Sequence, residues 1–255
     1  MEERRGDAAA GSAGRAGKVT SMPVTRQIIA MGGGGFSMEP ENPLLDKYIL
    51  SQSKKKNPRI CFIGTASGDA KGYIDNFYNF FKKENCIPSH LSLFNGHTAK
   101  IESFILSQDI LYVGGGNTRN MLVLWKEWGL DKIIRKAYKK GILLCGISAG
   151  SICWFEEGLT DSIPKQLNKL KCLGILKGSN CPHFDGEPGR RPAYTKLIKN
   201  GKMKSGIACD DGCALHYKNE KLFKVISSRP KAKAYRFVKK GKSLEESILP
   251  AEFGG

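Results

Sequence analysis

A regular alternation of short apolar runs with helical stretches, along residues 27–147, constrains the fold most strongly. Short apolar runs are typical of buried strands, and the amphipathic stretches between them are typical of crossover helices. This alternation predicts βαβ units, and hence an α/β fold with a mostly parallel central sheet. The predicted strands are 27–31, 59–64, 89–94, 109–113 and 142–147, and the predicted helices lie near 43–53, 72–85 and 118–139.

The pattern changes after residue 205, where short strands with tight turns predict a small antiparallel C-terminal addition. These strands are 206–209, 214–217, 222–226 and 234–238, with a hairpin tip at Asn219 and Glu220. Residues 1–25 are rich in Ala, Gly, Arg and Ser, and we expect a disordered leader or an expression remnant there. We expect residues 26–242 to form one α/β domain and residues 243–255 to form a flexible tail.

Charge and hydropathy limit the partners of the chain. No apolar run approaches the roughly 20 residues that cross a bilayer, so we expect no membrane partner. The formal net charge is +17, and residues 196–242 hold 14 basic and three acidic residues. Such an excess attracts nucleic acid, but no nucleic-acid-binding signature accompanies it. We therefore interpret the basic stretch as a solvated surface.

The eight cysteines predict reduced thiols, not disulfides. Several of them, such as Cys61 and Cys145, lie inside apolar runs, where a thiol behaves as a small hydrophobic group. Without a secretory leader we expect a cytoplasmic protein. The spacing Cys209-x3-Cys213-x2-His216 resembles a metal site but lacks a fourth ligand, so we predict no metal and no organic cofactor.

The segment most suggestive of chemistry is Gly146-Ile-Ser148-Ala-Gly150, which links a buried strand to an apolar helix. Small residues on both sides of Ser148 allow the sharp strand-to-helix turn of a nucleophile elbow. Such a turn holds the serine hydroxyl clear of the sheet, at the positive end of a helix. The alternative is a tight turn that merely requires small residues.

A glycine loop, 113–118, also follows a strand and opens a helix. Loops after parallel strands meet at one edge of the sheet, where ligands bind. The Ala149 amide, with one from Gly115 or Gly116, would form an oxyanion hole, and we select Gly116. The alternatives are an anion-binding loop and a plain turn, and the missing Lys-Ser/Thr ending disfavours a P-loop. The glycine run 32–35 lacks the helix of a dinucleotide site, and we expect it to let the chain wrap close to the active site.

Ser148 needs a general base, and His183 is the best candidate among the four histidines. It lies in a polar, turn-rich loop beside Pro182, carboxylates and two arginines. A carboxylate should fix the tautomer of the imidazole. The residues in range are Glu156, Glu157, Asp161 and Asp185.

Four motifs together resemble the dipeptidase E family of serine peptidases, and most closely its bacterial peptidase E-like branch. They are Gly-Ile-Ser-Ala-Gly-Ser around Ser148, Val-Gly-Gly-Gly-Asn-Thr at 113–118, Thr-Asp-Ser at 160–162 and Pro-His-Phe-Asp at 182–185. The resemblance implies a flavodoxin-like sandwich related to class I glutamine amidotransferases, with serine replacing the cysteine nucleophile. It implies hydrolysis of dipeptides with an amino-terminal aspartate, and a related branch degrades cyanophycin.

The resemblance also implies roles for residues. The family order of serine, acid and histidine maps onto Ser148, Asp161 and His183, with Glu157 as the alternative acid. A basic residue after the catalytic histidine would bind an acidic substrate side chain. Arg190 and Arg191 are the candidates, and Asn117 is expected to contribute to substrate binding.

We therefore predict a serine hydrolase that cleaves small peptides through an acyl-enzyme, with a preference for an acidic amino-terminal residue. An α/β-hydrolase esterase shares the elbow and the order of the triad, but its histidine normally follows much later in the chain. The alternative of another class is a non-catalytic α/β protein that binds an anion or nucleic acid. The sequence leaves open whether the protein forms a homodimer.

Overall fold

The computed structural model describes residues 24–94, 100–164 and 166–254. Residues 1–23 of the predicted leader, and His97, lie outside these ranges. The described strands are β1 (Gln27–Met31), β2 (Arg59–Ile63), β3 (Ile87–Leu91), β4 (Ile110–Val113), β5 (Leu143–Ile147), β6 (Phe155–Ile163), β7 (Gln166–Lys171), β8 (Leu176–Cys181), β9 (Gly206–Cys209), β10 (Cys213–Lys218), β11 (Lys221–Ser227), β12 (Ala234–Lys240), β13 (Ser243–Leu249) and β14 (Glu252–Phe253). The described α-helices are α1 (Leu44–Ser51), α2 (Lys71–Phe81), α3 (Ile101–Leu106), α4 (Thr118–Glu127), α5 (Leu130–Lys139), α6 (Ala149–Ile152) and α7 (Arg190–Lys199).

The first sheet has eight strands in the order β14-β11-β10-β1-β5-β4-β2-β3. Its strands from β1 to β3 in this order pair in parallel, while β10 pairs antiparallel with both β1 and β11. The predicted α/β fold with a mostly parallel central sheet is confirmed. Because the strands are parallel, the loops that follow β1, β4 and β5 emerge at one edge.

Both faces of this sheet are buried, as expected of parallel strands covered by helices. Along β1, Ile28 and Ala30 face one apolar cluster, whereas Ile29 and Met31 face the other. Phe36 lies at the centre of an aromatic group that includes Phe62, Phe77, Phe81 and Tyr112. This packing anchors the loop after β1, which later forms a wall of the candidate site.

The second sheet has six strands in the order β13-β12-β9-β8-β6-β7 and is larger than the predicted addition. It begins at Phe155, and β8 pairs in parallel with both β6 and β9. The prediction of a flexible tail from residue 243 is wrong for residues 243–253, because β13 pairs with β12 and β14 pairs with β11. Most side chains of β13 and β14 are exposed, so hydrophobic patterning did not indicate the backbone pairing that orders this segment.

The helical region predicted at 118–139 is interrupted. It forms α4 and α5, separated at Gly129, whose φ of 67° suits glycine. The hairpin tip predicted at Asn219 and Glu220 is confirmed, since both residues have positive φ angles. Helix α7 was not predicted, and it begins at Arg190.

Two further predictions concern membranes and thiols. Among the described residues, none of the helices combines the length and apolar character needed to cross a bilayer. All eight cysteines lie in the described ranges and are free thiols, six of them buried.

A buried carboxyl group lies behind the loop after β1. Asp46, on α1, is fully buried close to Gly35, Phe36 and Tyr112. Burial raises the pKa of Asp46 to about 7, although the Phe36 backbone and the Tyr112 hydroxyl partly offset this effect. The folded protein therefore binds this proton more tightly than the unfolded chain does.

We expect Asp46→Asn to stabilise the protein above pH 7 but not near pH 4. Wild-type stability should fall as pH rises from about 4 to about 7, because ionised Asp46 is disfavoured only in the folded state. The advantage of the variant should reach the order of 4 kcal/mol. Urea unfolding at pH 4 and pH 8 measures it, with the exposed Asp75→Asn as control. An advantage independent of pH would contradict this account.

Candidate active site

The chain turns sharply at Ser148, between β5 and α6. Ser148 has φ 57° and ψ −111°, a conformation that non-glycine residues rarely adopt. A Cβ atom at Gly146 or Gly150 would lie 2.5 or 2.1 Å from the Val113 carbonyl oxygen, so glycine is required at both positions. The predicted strand–turn–helix arrangement of a nucleophile elbow is therefore present.

Ser148 and His183, predicted from the sequence to act together, lie on the wall of the same cavity. Its volume is about 370 Å³. Ser148 is half-buried, and its side chain is accessible from the cavity. The cavity is lined by Ser37, Met38, Tyr73, Asn76, Gly115, Ile147, Ser148 and His183.

His183 is held by a carboxylate that the sequence analysis did not select. Its Nδ1 lies 2.6 Å from Asp211 Oδ1, within a hydrogen bond. Burial opposes ionisation of Asp211, but the contact with His183 and the nearby charges of Arg229 and Arg190 outweigh it and lower the pKa of Asp211. An ionised Asp211 can accept the Nδ1–H proton and leave Nε2 as the basic atom.

The pair lies directly against the glycine run that follows β1. The His183 N–H donates to the Gly32 carbonyl oxygen, and the Gly212 N–H donates to that of Gly33. A Cβ atom at Gly33 would lie 1.9 Å from Asp211 Oδ1 and 3.1 Å from His183 Nδ1. The expectation that these glycines let the chain wrap close to the site is confirmed.

The prediction of Asp161 as the acid partner of His183 is wrong, because Asp161 does not lie beside His183. Its side chain is 63% exposed and lies 3.8 Å from Arg190 Nη2. The alternative, Glu157, accepts hydrogen bonds from the Lys204 backbone and the Lys169 side chain. Asp161 lies on β6, whereas His183 follows β8, and the exposed Asp161 carboxylate lies beside Arg190 and not beside His183.

Asp211 was not predicted because it lies 28 residues beyond His183 in the sequence, outside the loop that carries the histidine. His183 follows the end of β8, and Asp211 follows the end of the neighbouring parallel strand β9. Two loops after adjacent parallel strands emerge side by side. The signal in the sequence was Asp210-Asp211-Gly212, directly after the buried strand 206–209. Asp185, another candidate acid, instead accepts the Asp211 backbone N–H at 2.8 Å.

The glycine loop after β4 lies against Ser148. A Cβ atom at Gly115 would lie 3.3 Å from Ser148 Cβ and 3.8 Å from its Oγ. The N–H groups of Gly114 and Asn117 donate to backbone carbonyls, and that of Gly115 donates to Tyr73 Oη. Within the described ranges the Gly116 N–H has no acceptor. The Ala149 N–H, at the start of α6, has no acceptor within the helix.

The three predicted substrate-binding side chains do not line this cavity. The Asn117 side chain caps α4 by accepting from the Asn120 N–H, and it donates to the Ser162 carbonyl oxygen. Arg190 is buried and binds Glu187 and the Leu159 carbonyl oxygen. Arg191 pairs with Glu246 and stacks on two aromatic rings, those of Phe184 and Tyr235. The expectation that either arginine binds an acidic substrate side chain is thus not supported by their positions.

The other described histidines have partners away from the cavity. His90 contacts the Tyr78 hydroxyl, and His216 lies between the Tyr48 hydroxyl and Gln27. His216 and Cys213 point to opposite faces of β10, because their positions differ by an odd number. Across the described part of the chain, no group of three or more potential ligands is arranged to hold a metal ion.

Comparison with known proteins places these features in a family. The chain matches peptidase family S51 over residues 28–225. It is 58% identical over 230 residues to the uncharacterised peptidase YgaJ of Bacillus subtilis strain 168, covering 90% of this chain and 100% of that protein. It is 26% identical over 173 residues to the uncharacterised peptidase Lmo0363 of Listeria monocytogenes, covering 65% of this chain and 82% of that protein.

The fold is also shared with a solved structure, that of a peptidase from an acI-B1 Actinobacterium. The TM-score is 0.65 at 16% identity, over 90% of this chain and 96% of the other. At this identity the similarity concerns the fold alone. The family assignment rests on the match to the family model and on the 58% identity to YgaJ. The chain belongs to peptidase family S51, the peptidase E family, and is a serine peptidase of the dipeptidase E type.

Proposed function

We propose that Ser148, His183 and Asp211 are the nucleophile, the general base and the orienting acid of this peptidase. The observation that carries the proposal is the 2.6 Å contact between His183 and Asp211, beside a cavity that Ser148 also lines. The strained backbone at Ser148 supports it, because such strain is common where a side chain must be presented for chemistry.

The proposed reaction proceeds through an acyl-enzyme. Ser148 Oγ attacks the carbonyl carbon of the peptide while its proton passes to His183 Nε2. The negative charge that develops on the carbonyl oxygen is stabilised by the N–H groups of Gly116 and Ala149. His183 then gives the proton to the leaving amine, and water attacks the Ser148 ester by the same route.

The lining of the cavity supports a substrate class, namely short peptides with a neutral amino-terminal residue. Ser37 and Asn76 offer neutral polar groups, and Met38 and Ile147 offer apolar surface. Among the described residues that line it, none is a lysine or an arginine. A substrate carboxylate would therefore lose solvation without gaining a cationic partner.

The free thiols support a cytoplasmic location. Eight unpaired cysteines fit a reducing compartment better than an oxidising one. A cytoplasmic peptidase would meet short peptides released by larger proteases.

Replacing Ser148 by Ala should abolish peptide hydrolysis. The variant should also fail to react with a fluorophosphonate probe that labels the wild-type protein, because the nucleophilic oxygen is removed. Ser151→Ala is a control, since Ser151 does not line the cavity and its buried hydroxyl donates to Asn180 Oδ1. Persistent hydrolysis by Ser148→Ala would remove Ser148 from the mechanism.

Replacing Asp211 by Asn should lower kcat by about 10⁴-fold, because the tautomer and the developing charge of His183 lose their support. The matched control is Asp161→Asn, which changes the acid predicted from the family order. Its exposed side chain does not contact His183, so kcat should stay within about twofold of wild type. Steady-state kinetics on one dipeptide compares the two variants. A severe loss in Asp161→Asn with little loss in Asp211→Asn would reverse the assignment.

From the neutral lining of the cavity we also predict the relative kcat/KM of two substrates that differ only in charge. A dipeptide with amino-terminal Asn should have a kcat/KM at least about tenfold higher than the same dipeptide with amino-terminal Asp. The two side chains have nearly the same shape, so the ratio isolates the effect of charge. Faster hydrolysis of the Asp substrate would show that a cation outside the described lining reaches the site.

A further inference from the structure

Three backbone N–H groups of the glycine loop after β4 donate hydrogen bonds to neighbouring segments. The Gly114 N–H donates to the Ile63 carbonyl oxygen at 3.1 Å, and the Asn117 N–H donates to that of Ala66 at 2.8 Å. These two bonds join backbone to backbone and do not depend on side-chain identity. The third bond does: the Gly115 N–H donates to the Tyr73 hydroxyl oxygen at 3.2 Å. Among these three N–H groups, that of Gly115 is therefore the one held by a side chain, the Tyr73 hydroxyl.

Tyr73 is itself held firmly. It lies in the first turn of α2, and its ring packs against Phe62 and Phe36, with centroids 4.9 and 5.7 Å away. A Cβ atom at Gly114 would lie 3.1 Å from Tyr73 Cε1, so the ring also lies against the loop. Burial raises the pKa of Tyr73, and the phenol stays neutral at physiological pH. A neutral hydroxyl in a packed ring is a rigid acceptor for the Gly115 N–H.

The position of the Gly115 peptide matters for the chemistry next to it. Gly115 lies against Ser148, and the following residue, Gly116, carries the amide that has no acceptor in the described ranges. Consecutive glycines have wide backbone freedom, so this peptide would rotate readily without a partner. The Gly116 N–H belongs to the next peptide along the chain, so movement of Gly115 would displace this N–H relative to Ser148.

We infer that Tyr73 is a positioning residue, whose hydroxyl fixes the Gly115 peptide and thereby keeps the Gly116 amide aligned for the oxyanion. The inference rests on the proposed roles of Ser148 and Gly116. It assigns to Tyr73 an effect on the transition state and not on the binding of the substrate. Orientation of this kind changes kcat more than KM.

The test compares Tyr73→Phe with Tyr78→Phe. Tyr78 lies on the same helix, and its hydroxyl contacts the exposed His90 and does not line the cavity. For Tyr73→Phe we expect kcat to fall about tenfold with KM within about twofold of wild type, whereas Tyr78→Phe should keep both constants. Affinity for a dipeptide aldehyde, which forms a tetrahedral adduct with serine, should fall by a factor similar to that of kcat. Affinity for a non-covalent dipeptide analogue should not fall.

Each other outcome overturns the inference. A raised KM with unchanged kcat would make Tyr73 a substrate-binding residue, and constants equal to those of Tyr78→Phe would remove any role. If Tyr73→Phe unfolds, incorporation of fluorotyrosine at position 73 serves instead. Fluorine weakens the hydroxyl as an acceptor and strengthens it as a donor, so kcat should fall if the Gly115 contact matters. An unchanged or higher kcat would contradict the inference.

The same series separates this inference from the proposed function. If Ser148→Ala remains active, the proposed nucleophile is wrong whatever Tyr73 does. If Ser148→Ala is inactive and Tyr73→Phe behaves as Tyr78→Phe does, the proposed function stands and only the positioning role fails.

Discussion

The contact between Gly32–Gly33 and the segments that carry His183 and Asp211 is the constraint on which the site depends. Gly32 and Gly33 follow β1 in the first sheet, whereas His183 and Asp211 follow β8 and β9 in the second. Backbone hydrogen bonds join the two sets of residues, and the missing side chain of Gly33 leaves room for the His183–Asp211 pair. Two sheets can thus place their functional residues in one small volume without a side chain between them.

This arrangement divides the proposed machinery between two structural units. The first sheet supplies Ser148 and the glycine loop, both at the carboxyl ends of parallel strands. The second sheet supplies the imidazole and its carboxylate, again from the ends of two parallel strands. The same geometric rule therefore operates twice, once in each sheet. Neither sheet holds all of the groups that acyl transfer requires.

The sequence predicted the parallel sheet well, because strands buried on both faces give continuous apolar runs between amphipathic helices. It predicted the elbow because the small residues around Ser148 form a short, continuous motif between a buried strand and a helix. The sequence did not predict Asp211. The proposed role of Asp211 depends on the pairing of β8 with β9 in the second sheet, and such pairing joins residues that are distant in sequence. Arg190 and Arg191 were misread as loop residues because their helix has a weak apolar pattern, and its buried face includes a paired arginine.

The order of the three proposed groups along the chain has a consequence for biosynthesis. Ser148 leaves the ribosome first, His183 follows, and Asp211 emerges last, ahead of the strand that returns to the first sheet. A chain truncated before residue 211 has a serine at a sharp turn but no carboxylate to orient the imidazole. Incomplete translation products would consequently be poor hydrolases, and hydrolytic competence would arise only after both sheets have been made and joined.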